Sequence, residues 1–228
     1  KIKMITRHIP NFLTCSNLLC GCIGVVLVIK GDLTSAAYFV WVACMFDFFD
    51  GFAARMLKVS SPIGKELDSL ADMVSFGLLP AMVLYQMLLE SNTHAYLPYF
   101  AFSVAIFSAL RLAIFNIDET QSDSSQGLPT PANALFITSL PLLTGNIAIA
   151  LFEPWILCVI VAISSYLRVS GIPLFALKFN SFAWKENNIR FTFLILSVLL
   201  LAVLKIEAIP VIILLYVVLS LGVRAVSK

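Results

Sequence analysis

The sequence predicts an all-α integral membrane protein of about eight transmembrane helices, and three observations carry that reading. Of 228 residues, 60% are hydrophobic and 12% charged, with a mean hydropathy of +0.97; soluble domains run nearer to about half apolar and about a quarter charged. The apolar residues fall into runs close to the ~20 that cross a bilayer as a helix. The turns between those runs carry Lys and Arg on one side far more than on the other.

Residues 1–9 mix Lys1, Lys3 and Arg7 with Ile2, Met4, Ile5 and Ile9, the pattern of a helix lying on an anionic lipid surface. Pro10 opens a first span over about 12–30. This run follows basic residues as a signal peptide would, but it lacks a small-x-small cleavage site and carries Asn17, so it reads as a retained helix. Gly31-Asp32 is a tight turn, and a second span covers about 34–56. A loop with Lys58, Ser60, Ser61, Pro62, Gly64 and Lys65 leads to a third span, about 67–90, and a fourth covers about 96–116. After the polar stretch 118–126 comes Gly127-Leu-Pro-Thr-Pro131, where Pro131 can start a helix. Spans five and six, about 132–151 and 154–169, are split by Glu153-Pro154. A polar loop near 170–190 precedes the last two, near 191–205 and 208–225.

Eight spans put both termini on one side. Of the 15 Lys and Arg residues, all but Lys30 and Lys205 fall on that side, and such cations mark the cytoplasmic face. Both termini are therefore expected in the cytoplasm, within the cell membrane. The net charge of +2 says almost nothing by itself, and no nucleic-acid partner is expected. Cys15, Cys20, Cys22, Cys44 and Cys158 lie in apolar runs without a CxxC spacing, so neither disulfides nor a zinc site is expected, and they read as small core residues.

One stretch, 47–72, stands apart. Asp47 and Asp50 are three residues apart and Asp68 and Asp72 four, the spacings that share a helical face. Carboxylates inside apolar runs are costly and need a partner. Four hard oxygen donors on two adjacent helices predict a divalent-metal site. Gly51, which costs roughly 1 kcal/mol of helix propensity, is expected where a phosphate or nucleotide must come close to backbone. An ion pair with Arg55, Lys58 or Lys65 is the alternative account of these charges.

The pattern Asp47-x2-Asp50-Gly51-x2-Ala54-Arg55-x8-Gly64-x3-Asp68-x3-Asp72 matches, without gap or substitution, the signature of the CDP-alcohol phosphatidyltransferases. Its serine-transferring branch is resembled further by four segments: Ile9-Pro-Asn-Phe-Leu-Thr-Cys-Ser-Asn17, Glu66-Leu-Asp-Ser-Leu-Ala-Asp-Met-Val-Ser-Phe-Gly77, Arg111-Leu-Ala-Ile-Phe-Asn116 and Gly127-Leu-Pro-Thr-Pro131. Ile114 departs from that pattern, which expects a second basic residue there. Beyond about residue 131 the likeness is loose.

The resemblance implies a six-helix core followed by two further helices, as one domain over 1–228: an interfacial helix at 1–10, a catalytic core at 11–170, and a cytoplasmic loop with two helices at 171–228. It implies two Mg²⁺ or Mn²⁺ ions on Asp47, Asp50, Asp68 and Asp72, with Asp72 also the base that deprotonates the acceptor. Thr14, Asn17, Gly51, Ala54, Arg55, Ser61 and Gly64 would hold the CDP-lipid. Arg111, with Asn116, Ser75 and Thr130, would hold the acceptor. The substrates implied are CDP-diacylglycerol and L-serine among membrane lipids, in a homodimer. Two alternatives remain at this point. A phosphorylated acceptor such as glycerol phosphate or inositol phosphate would call on Lys178, Lys185 and Arg190, and a divalent-cation transporter would use the same aspartates as a transport site.

Overall fold

Proline lacks an N–H, and Pro10 sits in the first turn of α1 (Ile9–Ile29), where none is needed. The structure, a computed structural model, describes residues 8–59, 61–91, 94–117, 125–174 and 184–226; the expected interfacial segment lies largely outside them. From α1 the chain reverses through Gly31, whose φ of +80° favours glycine. It enters α2 (Leu33–Leu57) under an Asp32 cap, whose Oδ1 accepts from the Ser35 N–H at 2.9 Å. That bond holds the exposed Asp32 carboxyl below the usual carboxylate range. Lys58, with a left-handed φ of 52°, closes α2.

The third helix starts earlier than the sequence reading has it. Ser61 Oγ accepts from the Gly64 N–H at 3.0 Å and Pro62 occupies the first turn, so α3 runs Pro62–Asp72 and Gly64 and Lys65 are helical, not loop. A π-helical segment, Met73–Leu78, follows without a break and passes into α4 (Leu79–Glu90). After a 3₁₀ turn, Leu97–Phe102, comes α5 (Ser103–Ile117).

The expected fifth span is three pieces: α6 (Thr130–Ser139), a 3₁₀ turn at Leu140–Leu142, and α7 (Gly145–Leu151). Leu143 and Thr144 are extended and Gly145 has φ +69°, which ends the helix. Then α8 (Pro154–Val169) matches its expected bounds. The last two helices, α9 (Trp184–Leu204) and α10 (Ala208–Val226), are broken at Lys205, whose φ is 52°, and pack against each other. A two-residue antiparallel pair, Ser125–Gln126 (β1) with Pro173–Leu174 (β2), interrupts the otherwise helical fold.

Among the described residues, five segments are long and apolar enough to cross a membrane: Ile9–Ile29, Leu33–Leu57, Pro62–Glu90, Leu97–Ile117 and Asn187–Gly222. The chain is a membrane protein. Pro62–Glu90 is the central one, with 56% of its most apolar stretch buried, against 11% for Asn187–Gly222 at the periphery. Val28 of α1, Val40 of α2, Phe76, Leu84 of α4, Val104 of α5, Ile137 of α6 and Val161 of α8 share one buried cluster. A smaller one, Leu128, Phe193 and Tyr216, joins α9 and α10 to the start of α6. All five cysteines are free thiols, but Cys15 and Cys22 are exposed, not core residues as expected, because they lie on an outer face of α1.

Close approach of α1 to the π segment depends on Gly21. A Cβ there would lie 2.4 Å from Ser75 Oγ and 2.9 Å from Ser75 Cα, and backbone cannot yield. This contact sets α1 against the elements that carry the aspartates.

Candidate active site

Asp47 and Asp50 sit a turn apart on α2, and the capped start of α3 brings Asp68 opposite them. One carboxylate oxygen from each of the three lies within 4.8 Å of the others. Like charges so close repel strongly where the dielectric is low, and hard oxygen donors in that array suit a divalent cation. Asp68 Oδ1 is buried and accepts no hydrogen bond among the described residues, an oxygen left over by their network. The donor set therefore fits a metal ion on chemistry and on geometry. Thr14 of α1 reaches across to donate to Asp50 Oδ2 at 2.7 Å, and also lies 3.0 Å from the Pro10 carbonyl.

Asp72 occupies a different position from the other three. It is buried one turn beyond Asp68, outside the three-oxygen cluster, and its Oδ1 accepts from Asn17 Nδ2 at 3.2 Å. Asn17 is held in turn by Ser75, whose hydroxyl donates to the Asn17 carbonyl at 2.9 Å. Ser75 is fully buried and its proton is committed there, so it stands behind Asn17 rather than facing an open acceptor site.

A cavity of about 200 Å³ opens beside the aspartates. Thr14, Gly51, Ala54, Ser61 and Gly64 line it together with Asp50 and Asp68, so five of the seven residues expected at a nucleotide meet there. Gly51 keeps it open: a Cβ there would meet only Arg55 Nη1, at 3.7 Å. Gly64 is tighter, with a Cβ position 3.0 Å from Ser61 Oγ and 3.1 Å from Asn11 Oδ1. Asn17 lies deeper, on Asp72, and Arg55 is exposed at the rim. Asn11 and Lys65 also line the cavity; the sequence offers Lys65 only as a counter-charge for the aspartates, and Asn11 only as part of the segment that resembles the family's first helix.

Arg111 of α5 is half-buried, within electrostatic reach of Asp72 and of Tyr216 of α10. Asn116, at the end of the same helix, donates from Nδ2 to Ser69 Oγ at 2.9 Å, while its carbonyl accepts from Lys65 Nζ at 2.8 Å. These bonds tie α5 to the aspartate-bearing α3. Thr130 is buried at the start of α6. Ile114, the departure from the family pattern, is 51% exposed and points away from the interior. Of the cations a phosphorylated acceptor would require, Lys178 lies outside the described residues, and Arg190 donates to Asn187 Oδ1 at 2.5 Å.

A family model described as CDP-alcohol phosphatidyltransferase matches residues 7–166. The chain is 32% identical over 170 residues to the CDP-diacylglycerol–serine O-phosphatidyltransferase of Bacillus subtilis, covering 73% of this chain and 89% of that one. A protein of the same name from Methanocaldococcus jannaschii is 33% identical over 196 residues, covering 77% and 89%. One from Mycobacterium leprae is 31% identical over 174 residues; the match covers 73% of this chain but only 57% of that longer protein. The match takes in α1 to α8 up to residue 166, including every carboxylate described above. The chain belongs to the CDP-alcohol phosphatidyltransferase family.

Proposed function

We propose that this protein transfers the phosphatidyl group of CDP-diacylglycerol to the hydroxyl of L-serine, giving phosphatidylserine and CMP. The observation that carries the reading is the cluster of Asp47, Asp50 and Asp68 oxygens beside a cavity floored by Gly51 and Gly64. The relatives named above are all serine transferases, which supports the acceptor. Asp47, Asp50 and Asp68 would hold divalent metal, Mg²⁺ or Mn²⁺, with Asp72 completing the set for a second ion. Bound there, such ions supply charge neutralisation for the pyrophosphate and for departing CMP.

The chain's own residues do the rest. Gly51 and Gly64 admit the nucleotide close to backbone, and the Arg55 guanidinium at the rim can fork onto a phosphate oxygen. Asp72, held by Asn17, takes the proton from the serine hydroxyl as its oxygen attacks the lipid-side phosphorus. The bond from that phosphorus to the bridging oxygen breaks, and the electron pair leaves with CMP. Arg111, within electrostatic reach of Asp72, pairs with the serine carboxylate.

The remaining placement rests on the sequence: the apolar runs give a single membrane domain of eight spans, the Lys and Arg asymmetry puts termini and site on the cytoplasmic side of the cell membrane, and the family resemblance implies a homodimer. Purified protein given CDP-diacylglycerol, Mn²⁺ and serine should release CMP, and in competition serine should outrun glycerol phosphate and inositol phosphate. Faster turnover with either phosphorylated polyol would overturn the serine assignment. An absence of CMP release with all acceptors and both metals would overturn the transferase reading itself.

A further inference from the structure

Arg168 is the largest fully buried side chain among the described residues, 1% exposed, near the end of α8. A guanidinium inside a membrane domain is costly, and among the described residues its hydrogen-bond partners are all neutral. Nη1 donates to the Val104 carbonyl of α5 at 3.3 Å and Nη2 to the Phe76 carbonyl at 3.2 Å. The Asn133 amide of α6 is oriented by its neighbours: its oxygen accepts from Arg168 Nε at 3.0 Å and Nη2 at 2.6 Å, and its nitrogen donates to Ser164 Oγ at 3.3 Å. Packing alone would be served by a Leu or Met.

The Phe76 carbonyl explains the cost. In an α-helix it would accept from the N–H four residues on, but residue 80 is proline and has none. The chain answers with π-type bonding, Leu79 N–H to the Val74 carbonyl, five residues back. The guanidinium supplies the donor that Pro80 lacks. The turn it fixes is the one directly after Asp72, and it carries Ser75, which holds Asn17, which holds Asp72.

We infer that Arg168 is a positioning residue for phosphatidyl transfer: by capping the Phe76 carbonyl that Pro80 leaves without a donor, it sets the π turn and hence the Ser75–Asn17–Asp72 chain. This rests on the role given to Asp72 above. Neither Arg168 nor Pro80 touches the cavity or the aspartates, so the effect must travel through backbone.

The test compares wild type, Arg168→Met, Arg168→Lys, Pro80→Ala and the double variant Arg168→Met/Pro80→Ala in detergent. CMP release, Mn²⁺ affinity without substrate and thermal midpoint are read for each. Arg168→Met should lower kcat by roughly ten- to a hundredfold, the scale of a 1 Å misplacement, while the KM of donor and acceptor stay within about twofold. Adding Pro80→Ala returns an N–H to the Phe76 carbonyl and should recover about tenfold or more of that loss. Arg168→Lys, whose ammonium keeps the charge but lacks the guanidinium's planar fork, should fall between and be rescued likewise; it serves if the Met variant does not fold. A double variant no faster than the single, with both folded, overturns the inference, since a structural pillar would not be replaced by one backbone N–H. Should wild type release no CMP, the transfer reading fails. The Mn²⁺ affinities still decide this inference, because Asp68 lies one turn before the π segment: loss in the single variant and recovery in the double supports it, and no such pattern overturns it.

Discussion

Thr14→Val tests how the metal cluster is held. Thr14 and Asp50 are 3% and 6% exposed, so water does not replace what is removed. The hydroxyl has one proton and two acceptors in reach, Asp50 Oδ2 at 2.7 Å and the Pro10 carbonyl at 3.0 Å. An ionised acceptor that is also nearer takes the proton. Valine keeps the shape and deletes the donor. A hydrogen bond to a charged group is worth about 1.5–3 kcal/mol, which at about 1.4 kcal/mol per decade is roughly ten- to a hundredfold in affinity. That is the range seen when a partner that orients a metal ligand is lost. The assay is an electron paramagnetic resonance titration of free Mn²⁺ against purified protein, with Thr14→Ser as the control that keeps the hydroxyl. The expected order is wild type and Ser together, with Val weaker by that factor. Equal affinities in all three would refute the reasoning: the proton would then sit on the Pro10 carbonyl, and Thr14 would act only on its own helix.

Three further outcomes are expected. Asp72→Asn should cut turnover by about 10²–10⁴-fold, as loss of a general base does, with CDP-diacylglycerol binding still measurable; a rate near wild type would remove Asp72 as the base. Arg111→Ala should raise the serine KM by roughly tenfold or more while leaving the lipid KM in place, and an unchanged serine KM takes Arg111 out of the acceptor site. Gly21→Ala forces a methyl against Ser75 backbone and should cost about 1–3 kcal/mol, seen as a lower thermal midpoint in detergent; a midpoint equal to wild type would show that α1 can shift away from the π segment freely.

The sequence was most informative where polar residues interrupt an apolar background. The aspartates, Gly51 and Gly64 are costly where they stand, so each marks a demand the membrane does not make; Asp50, Asp68, Gly51 and Gly64 line one cavity, and Asp47 clusters with the first two. The start of α3 is hard to see because Ser61-Pro62 reads as loop, although a capping serine followed by proline in the first turn is itself a helix signal. The break at Leu143 to Gly145 was hidden because the run stays apolar through it and only backbone angles end the helix. Arg168 looked like one more cytoplasmic cation. Its place depends on a carbonyl 92 residues earlier, and long-range partners leave no periodic trace. Pro80, inside an otherwise helical run, was the available signal that a carbonyl nearby would need an outside donor.

The strut from Arg168 to Phe76 also orders events during synthesis. The four aspartates are translated well before Arg168, and α1, α2 and α3 can meet as soon as they enter the bilayer. The guanidinium that fixes the turn behind Asp72 emerges 92 residues after Phe76, once α8 has been made. Contacts so distant along the chain form late. Until then the nascent protein carries its carboxylates without the brace that sets them, so the site is completed from behind, after most of the chain has left the ribosome.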